Sequence, residues 1–255
     1  MSKMKDVYET LINQTILMEH AEGVKDESVR NALLYMLYTN RPEIDEYGQT
    51  TLKFDEGDEN EAAGEINRLT KGEEAFSIFN GQMVELKNNL HQQSTPLTMK
   101  MNFAYAVTLM ETCLADMLKH AVLSESEFMS NALKNIKDFH GVKIDLIDIH
   151  KNSGFVTGFV MKVLTEYLYH KIELVLTIYR FTLGSDHPEY IKEKTGDLVK
   201  IADIRHDIVH RNGFDKEGNE HHLTPEKVAK AMQNITDFVQ GMKMYISQSE
   251  SGLSF

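Results

Sequence analysis

The sequence predicts a mainly α fold, an antiparallel helical bundle with an additional, mostly helical N-terminal region. Long stretches carry apolar residues every three or four positions, which puts them on one face of a helix. Start and stop signals bracket those stretches. Four of the resulting helices are long enough to cover one another's apolar faces, and an up-down bundle is the simplest way to do so.

In chain order, residues 7–18 and 29–38 carry helical patterning. The run Thr50 to Phe54 suits a short strand, and the acidic stretch Asp55 to Glu65 follows it. Helical periodicity returns from Ala75 to Leu90. The polar segment His91-Gln92-Gln93-Ser94-Thr95-Pro96 is the natural boundary. It divides the chain into an acidic, mostly helical region, 1–95, to which the sequence assigns no role, and the bundle, 96–255.

Within the bundle, Met99, Phe103, Ala106, Met110, Cys113, Met117 and Ala121 form one apolar stripe on a helix of about 25 residues. From Lys134 to Gly154 the chain alternates around Val142 to Ile149, which suits a short strand or an irregular loop. A second long helix is expected from Phe155 to Leu183, ending at Gly184. The third has Leu198, Ile201, Ile204 and Ile208 on its apolar side and stops at Asn212-Gly213. Then comes a turn-rich excursion, Phe214 to Leu223. Thr224-Pro225-Glu226 caps the fourth helix, whose stripe is Val228, Met232, Ile235, Val239, Met242 and Ile246.

The chain has 255 residues, 42% hydrophobic and 26% charged, as in ordinary globular proteins. No apolar run approaches the roughly 20 residues of a membrane span. The start, Met1 to Asp6, leads into no signal-like core, so a cytoplasmic location is expected. The single cysteine, Cys113, excludes an internal disulfide and any zinc site built on several thiolates, and its place on an apolar face suits the core. The net charge is −12, but it is unevenly spread: residues 1–95 carry 9 Lys and Arg against 18 Asp and Glu, and residues 96–255 carry 18 against 21. A nearly neutral second part can present a small basic site but argues against a broad duplex-binding groove.

The run Asp203-Ile204-Arg205-His206-Asp207-Ile208-Val209-His210-Arg211-Asn212-Gly213 carries the chemistry. Arginine offers a permanent planar charge that matches phosphate oxygens, and histidine moves protons near neutral pH. Phosphodiester transesterification needs both.

With a polar residue after the arginine and a histidine four residues further on, this run resembles the motif of the HEPN family (higher eukaryotes and prokaryotes nucleotide-binding domains), Arg, four to six residues, then His. The resemblance covers about residues 97–247 and leaves 1–95 outside it. It implies a helical bundle that cleaves RNA without a metal or other cofactor, usually as a homodimer with a composite site. It also implies a role in toxin-antitoxin or antiphage defence, with a cognate antitoxin or regulatory protein as a further partner. Geometry separately favours a dimer, unless fraying at Asn212-Gly213 swings His210 inward. Five residues along a helix turn the chain by about 500°, so Arg205 and His210 point roughly 140° apart, and a two-fold pair can supply one from each subunit.

In the expected reaction a base takes the ribose 2′-OH proton, that oxygen attacks phosphorus, and the 5′-oxygen leaves with a proton. His210 is expected to transfer protons, with the helix C-terminus and Asp207 tuning it. Arg205 would stabilise charge on the phosphoryl oxygens. His206 would position substrate or act as a second proton carrier, and Asn212 would bind phosphate or backbone. Arg211 and Asn212 equally suit a helix end. Glu111, on the first bundle helix, would orient Arg205 or His210, or else be a surface charge.

Two other classes compete. One is a noncatalytic helical module that binds nucleotide, RNA or a protein. The other is a metal-dependent hydrolase in which His206 and His210, four apart, are joined by His221, His222 or Asp207. No Glu sits between the two histidines in the arrangement of helical zinc hydrolases, which disfavours the second.

Overall fold

The computed structural model describes residues 43–44, 50–51, 75–90, 95–144, 146–151, 154–167 and 169–252. The expected helices at 7–18 and 29–38 and the acidic stretch lie outside the described residues. Two compact units are formed, one by Met1–Asp55 with Val142–Lys151, the other by Glu56–Gly141 with Asn152–Phe255.

In the first unit, β1 (Glu43–Ile44) pairs antiparallel with β2 (Thr50–Thr51). The second unit is mainly α. It begins with α1 (Ala75–Asn89), α2 (Pro96–Ser124) and α3 (Ser126–Asn135), followed by a 3₁₀ turn at Lys137–Phe139. The short α4 (Leu146–Lys151) belongs to the first unit. The second unit continues with α5 (Phe155–Thr165), α6 (Ile172–Leu183), α7 (Glu189–Arg211) and α8 (Pro225–Gly252).

Helix α2, of 29 residues, is the axis of the bundle. It starts where Thr95 accepts a hydrogen bond from the Thr98 amide while the Thr98 hydroxyl accepts one from the Thr95 amide, a reciprocal cap with Pro96 in the first turn. Around it pack α1, α3, α5, α7 and α8. Every residue of the expected α2 stripe, Cys113 included, is buried, and so is every residue of the α8 stripe. Two tyrosines fasten the helices through their hydroxyls: Tyr179 donates to the Leu114 carbonyl at 2.6 Å and Tyr245 donates to the Ser185 carbonyl. Such buried hydroxyls need these partners, because an unpaired one would cost about 1–3 kcal/mol.

Three expectations need correction. The segment 91–96 does not separate the compact units: α1 packs on both α2 and α8 and shares their core through Phe79 and Met83. The run 142–149 ends in a helix, α4, and not in a strand or irregular loop. Its alternation stops at Leu146-Ile147, and among the described residues it has no ladder partner, which a strand requires.

The third correction bears on the site. The expected helix from Phe155 to Leu183 is interrupted between Thr165 and Ile172. On a continuous helix Tyr167 and Tyr169 would point about 160° apart. In the break, Tyr169 is buried and donates to the Leu164 carbonyl at 2.8 Å, while Tyr167 donates to the Asp138 carboxylate. The chain then re-enters helix through Lys171, and α6 packs against α7.

Candidate functional site

Helix α7 remains regular through Arg211, so the roughly 140° between Arg205 and His210 persists and no fraying swings His210 inward. Asn212 then adopts the left-handed conformation, φ 55°, and Gly213 follows at φ 89°. The Gly213 amide donates to the Asp207 carbonyl at 2.9 Å, satisfying one of the free carbonyls of the helix end. Asparagine tolerates that conformation better than other side chains, so Asn212 is first a helix stop. Its carbonyl accepts a 2.8 Å bond from Lys100 Nζ of α2, which also bonds Glu220 at 3.1 Å.

Arg205 turns toward α2. Its Nη2 lies 4.0 Å from Glu111 Oε2, and the two side chains are 21% and 17% exposed. Glu111 is therefore no surface charge, and Arg205 pairs with it across helices. Burial raises the Glu111 carboxyl above its usual range, although the Arg205 charge pulls it back. Glu111 Oε1 and Arg205 Nε are buried without a hydrogen-bond partner. The pair is thus held by charge at the limit of contact, and the guanidinium fork is not filled by its carboxylate.

His206 and His210 lie one turn apart on α7, their rings tilted by 43° with centroids 4.6 Å apart. His210 is exposed and His206 half-buried.

Asp207 does not tune His210. Its Oδ1 accepts from Arg211 Nη1 and its Oδ2 lies 2.8 Å from His221 Nε2. Burial opposes its ionisation, but the hydrogen bonds from His221 and Arg211 outweigh this and hold its carboxyl below the usual range. Arg211 and His221 thereby tie the segment after α7 back to the helix. Within that segment Asp215 accepts from the Glu217 and Asn219 amides at 3.0 and 2.8 Å, and the His221 amide donates to the Gly213 carbonyl at 2.9 Å. His221 looked like a loop residue in sequence, and nothing in its neighbours signals the carboxylate it meets.

Sequence reading missed His170. It sits half-buried in the break between α5 and α6, and the charges of Arg205, Lys171, His206 and His210 act on it. Burial first, then those four neighbours, push its imidazole below the usual histidine range. Arg205, His206 and His210 thus share α7, Glu111 meets Arg205 from α2, and Asp207, Arg211 and Asn212 build the helix end.

The metal-ligand set considered from sequence is not assembled, because His221 faces Asp207 while His206 and His210 face each other. Among the described residues, no group of three or more His, Cys, Asp or Glu side chains is placed to hold a metal ion. No helix among them is long and apolar enough to cross a membrane. No family model matches the chain, and no curated protein or solved structure matches it either.

Proposed function

We propose that this chain is an endoribonuclease of HEPN type that cleaves RNA by attack of the ribose 2′-OH, without a metal. One observation carries the reading: near the end of α7 an arginine paired with a half-buried carboxylate stands with two histidines in ring contact, His206 and His210. A fixed guanidinium suits a phosphoryl group, and imidazoles can take and give the two protons that the reaction moves. His210 transfers a proton and Arg205 stabilises the charge of the transition state. His206 positions the substrate.

The working unit in this proposal is a homodimer. Support comes from the angle between Arg205 and His210 and from apolar surface on the same helix: Val209 is 50% exposed, and Ile204 and Ile208 are half-buried. On α2, Leu97, Met101 and Tyr105 are exposed at four-residue spacing. A second copy that covers such surface can bring a second set of motif residues to the first. The setting in toxin-antitoxin or antiphage defence, with a cytoplasmic location and an antitoxin or regulator as partner, follows from the resemblance of the motif.

The test expresses wild type, Arg205→Ala and His210→Ala in a bacterial host and maps broken RNA ends together with growth. Wild type is expected to arrest growth and leave 2′,3′-cyclic phosphate ends, and both variants to do neither. Variants as harmful as wild type would show that the site is wrong. RNA bound but left intact by the purified wild type would favour a noncatalytic binding module.

A further inference from the structure

Resting on the ribonuclease reading, we propose that His221, held by Asp207, is a further catalytic residue of the site and the base that takes the 2′-OH proton.

The geometry starts from Asp207. Its carboxylate holds two donors at once, Arg211 through Oδ1 and, at 2.8 Å, His221 Nε2 through Oδ2. An ionised carboxylate can only accept, so the hydrogen of the second bond sits on Nε2 of the ring. That fixes the tautomer: in the neutral imidazole the free lone pair lies on Nδ1, where a proton can be taken up. A carboxylate on one ring nitrogen and proton transfer at the other is a general way to orient a working histidine.

The ring is also held from its backbone. The His221 amide donates to the Gly213 carbonyl at 2.9 Å, Phe214 and Glu220 pair across the turn, and Glu220 meets Lys100 Nζ of α2 at 3.1 Å. The His221 side chain still keeps 25% of its surface exposed, against 11% for Asp207, so substrate can reach the ring.

Placement on α7 matches a composite site. Asp207 and His210 are three residues apart on a regular helix, so their side chains leave it about 60° apart, with Cβ atoms about 5–6 Å from each other. Arg205 points about 160° from Asp207 and about 140° from His210. One subunit therefore offers two histidines on neighbouring faces, His210 directly and His221 through Asp207, and the second subunit brings the arginine.

The step then balances. The proton of the 2′-OH passes to Nδ1 of His221 as the O2′–P bond forms. The P–O5′ bond breaks, and O5′ takes a proton from the imidazolium of His210. One proton is gained by one histidine and lost by the other, and exchange with water restores both. The charge that forms on His221 faces the Asp207 carboxylate, and the arginine stays charged throughout.

Glutamine is the discriminating replacement, because its amide can still donate to Asp207 but cannot carry a proton. The experiment measures urea unfolding, and cleavage of an RNA oligonucleotide across pH, for the purified full-length chain and its variants. His221→Gln is expected to unfold at the wild-type urea concentration, to lower kcat by about 10²–10⁴-fold with little change in KM, and to lose the acidic limb of the pH profile. His221→Gly should regain activity with added imidazole in proportion to its neutral form, which a histidine that only tethers the turn would not do. Ring NMR of wild type bound to an all-2′-deoxy oligonucleotide should show the His221 and His210 resonances moving together, whether or not the variants fold. The inference is overturned if His221→Gln keeps the wild-type rate and profile, or if the bound strand shifts His210 but leaves His221 unmoved. Inactivity of Arg205→Ala and His210→Ala beside a fully active His221→Gln would sink this assignment alone. A wild type that cuts no RNA would sink the ribonuclease reading and this inference with it.

Discussion

Glu111 of α2 and Arg205 of α7 face each other across the helix packing at 4.0 Å, with Glu111 Oε1 and Arg205 Nε buried and unpaired. The contact binds the motif helix to the bundle axis and leaves the guanidinium fork without a carboxylate partner in register. Removing the arginine leaves a half-buried carboxyl with no counter-charge. Arg205→Ala is therefore expected to raise the Glu111 pKa further and to cost about 1–3 kcal/mol of stability. Carboxyl NMR titration and urea unfolding check both parts, and an unchanged Glu111 titration would show that the pair is not coupled.

Asp207 gives acid sensitivity with a defined sign. Its folded-state pKa lies below its unfolded value, so its stabilisation is present above the ordinary carboxylate range and is lost as pH falls through the lowered value. Asp207→Asn should cost about 1–3 kcal/mol at pH 7, because it strips Arg211 and His221 of their shared carboxylate. Urea unfolding from pH 7 down to about pH 3 should show the variant curve flatter than wild type below the ordinary carboxylate value of about 4. Parallel curves would assign the acid sensitivity to other groups.

Gly213 combines a left-handed backbone, φ 89°, with a close neighbour: an added Cβ would meet Lys100 Cε at 2.7 Å. Gly218 has a similar φ of 87° with nothing within 4 Å. Each alanine substitution should cost about 1–2 kcal/mol through backbone strain. Gly213→Ala should lose more, because it also displaces Lys100 from the Asn212 carbonyl and Glu220. Thermal unfolding of the two variants compares them directly, and equal losses would mean that the Lys100 tether contributes nothing.

The composite site can be tested by mixing subunits. Arg205→Ala and His210→Ala proteins, each inactive alone, form heterodimers in which one of the two sites has both an intact arginine and an intact histidine. Random mixing should then restore about a quarter of wild-type activity. A mixture as inactive as its components would mean that both groups act within one chain.

The fold was legible where one face of a helix is buried along its length. The stripes from Met99 to Ala121 and from Val228 to Ile246 are core throughout, and the stops at Gly184 and Asn212-Gly213 hold. Periodicity was blind to the break at Glu166–Lys171. What interrupts that helix is tertiary: the Tyr167 hydroxyl finds Asp138, and burial of Tyr169 satisfies its own hydroxyl nearby.

The motif pair was legible because Arg and His at that spacing are conspicuous within a single helix. Its surroundings were harder to read. Glu111 is 94 residues from Arg205 and became informative only once α2 and α7 packed together. His170 lies 35 residues before Arg205, in a stretch whose local pattern looked helical. Asp207 misled for the opposite reason: on the sequence it is three residues from His210, but two better donors, Arg211 and His221, take its oxygens.

The most direct measurement of the central claim uses purified full-length protein, EDTA and an RNA oligonucleotide carrying a single 2′-deoxy substitution at its cleavage position. Cutting of the all-ribose strand to 2′,3′-cyclic phosphate and 5′-OH ends is expected, with none at the deoxy position and none by Arg205→Ala or His210→Ala. Cutting at the deoxy position, or undiminished cutting by either variant, would contradict it.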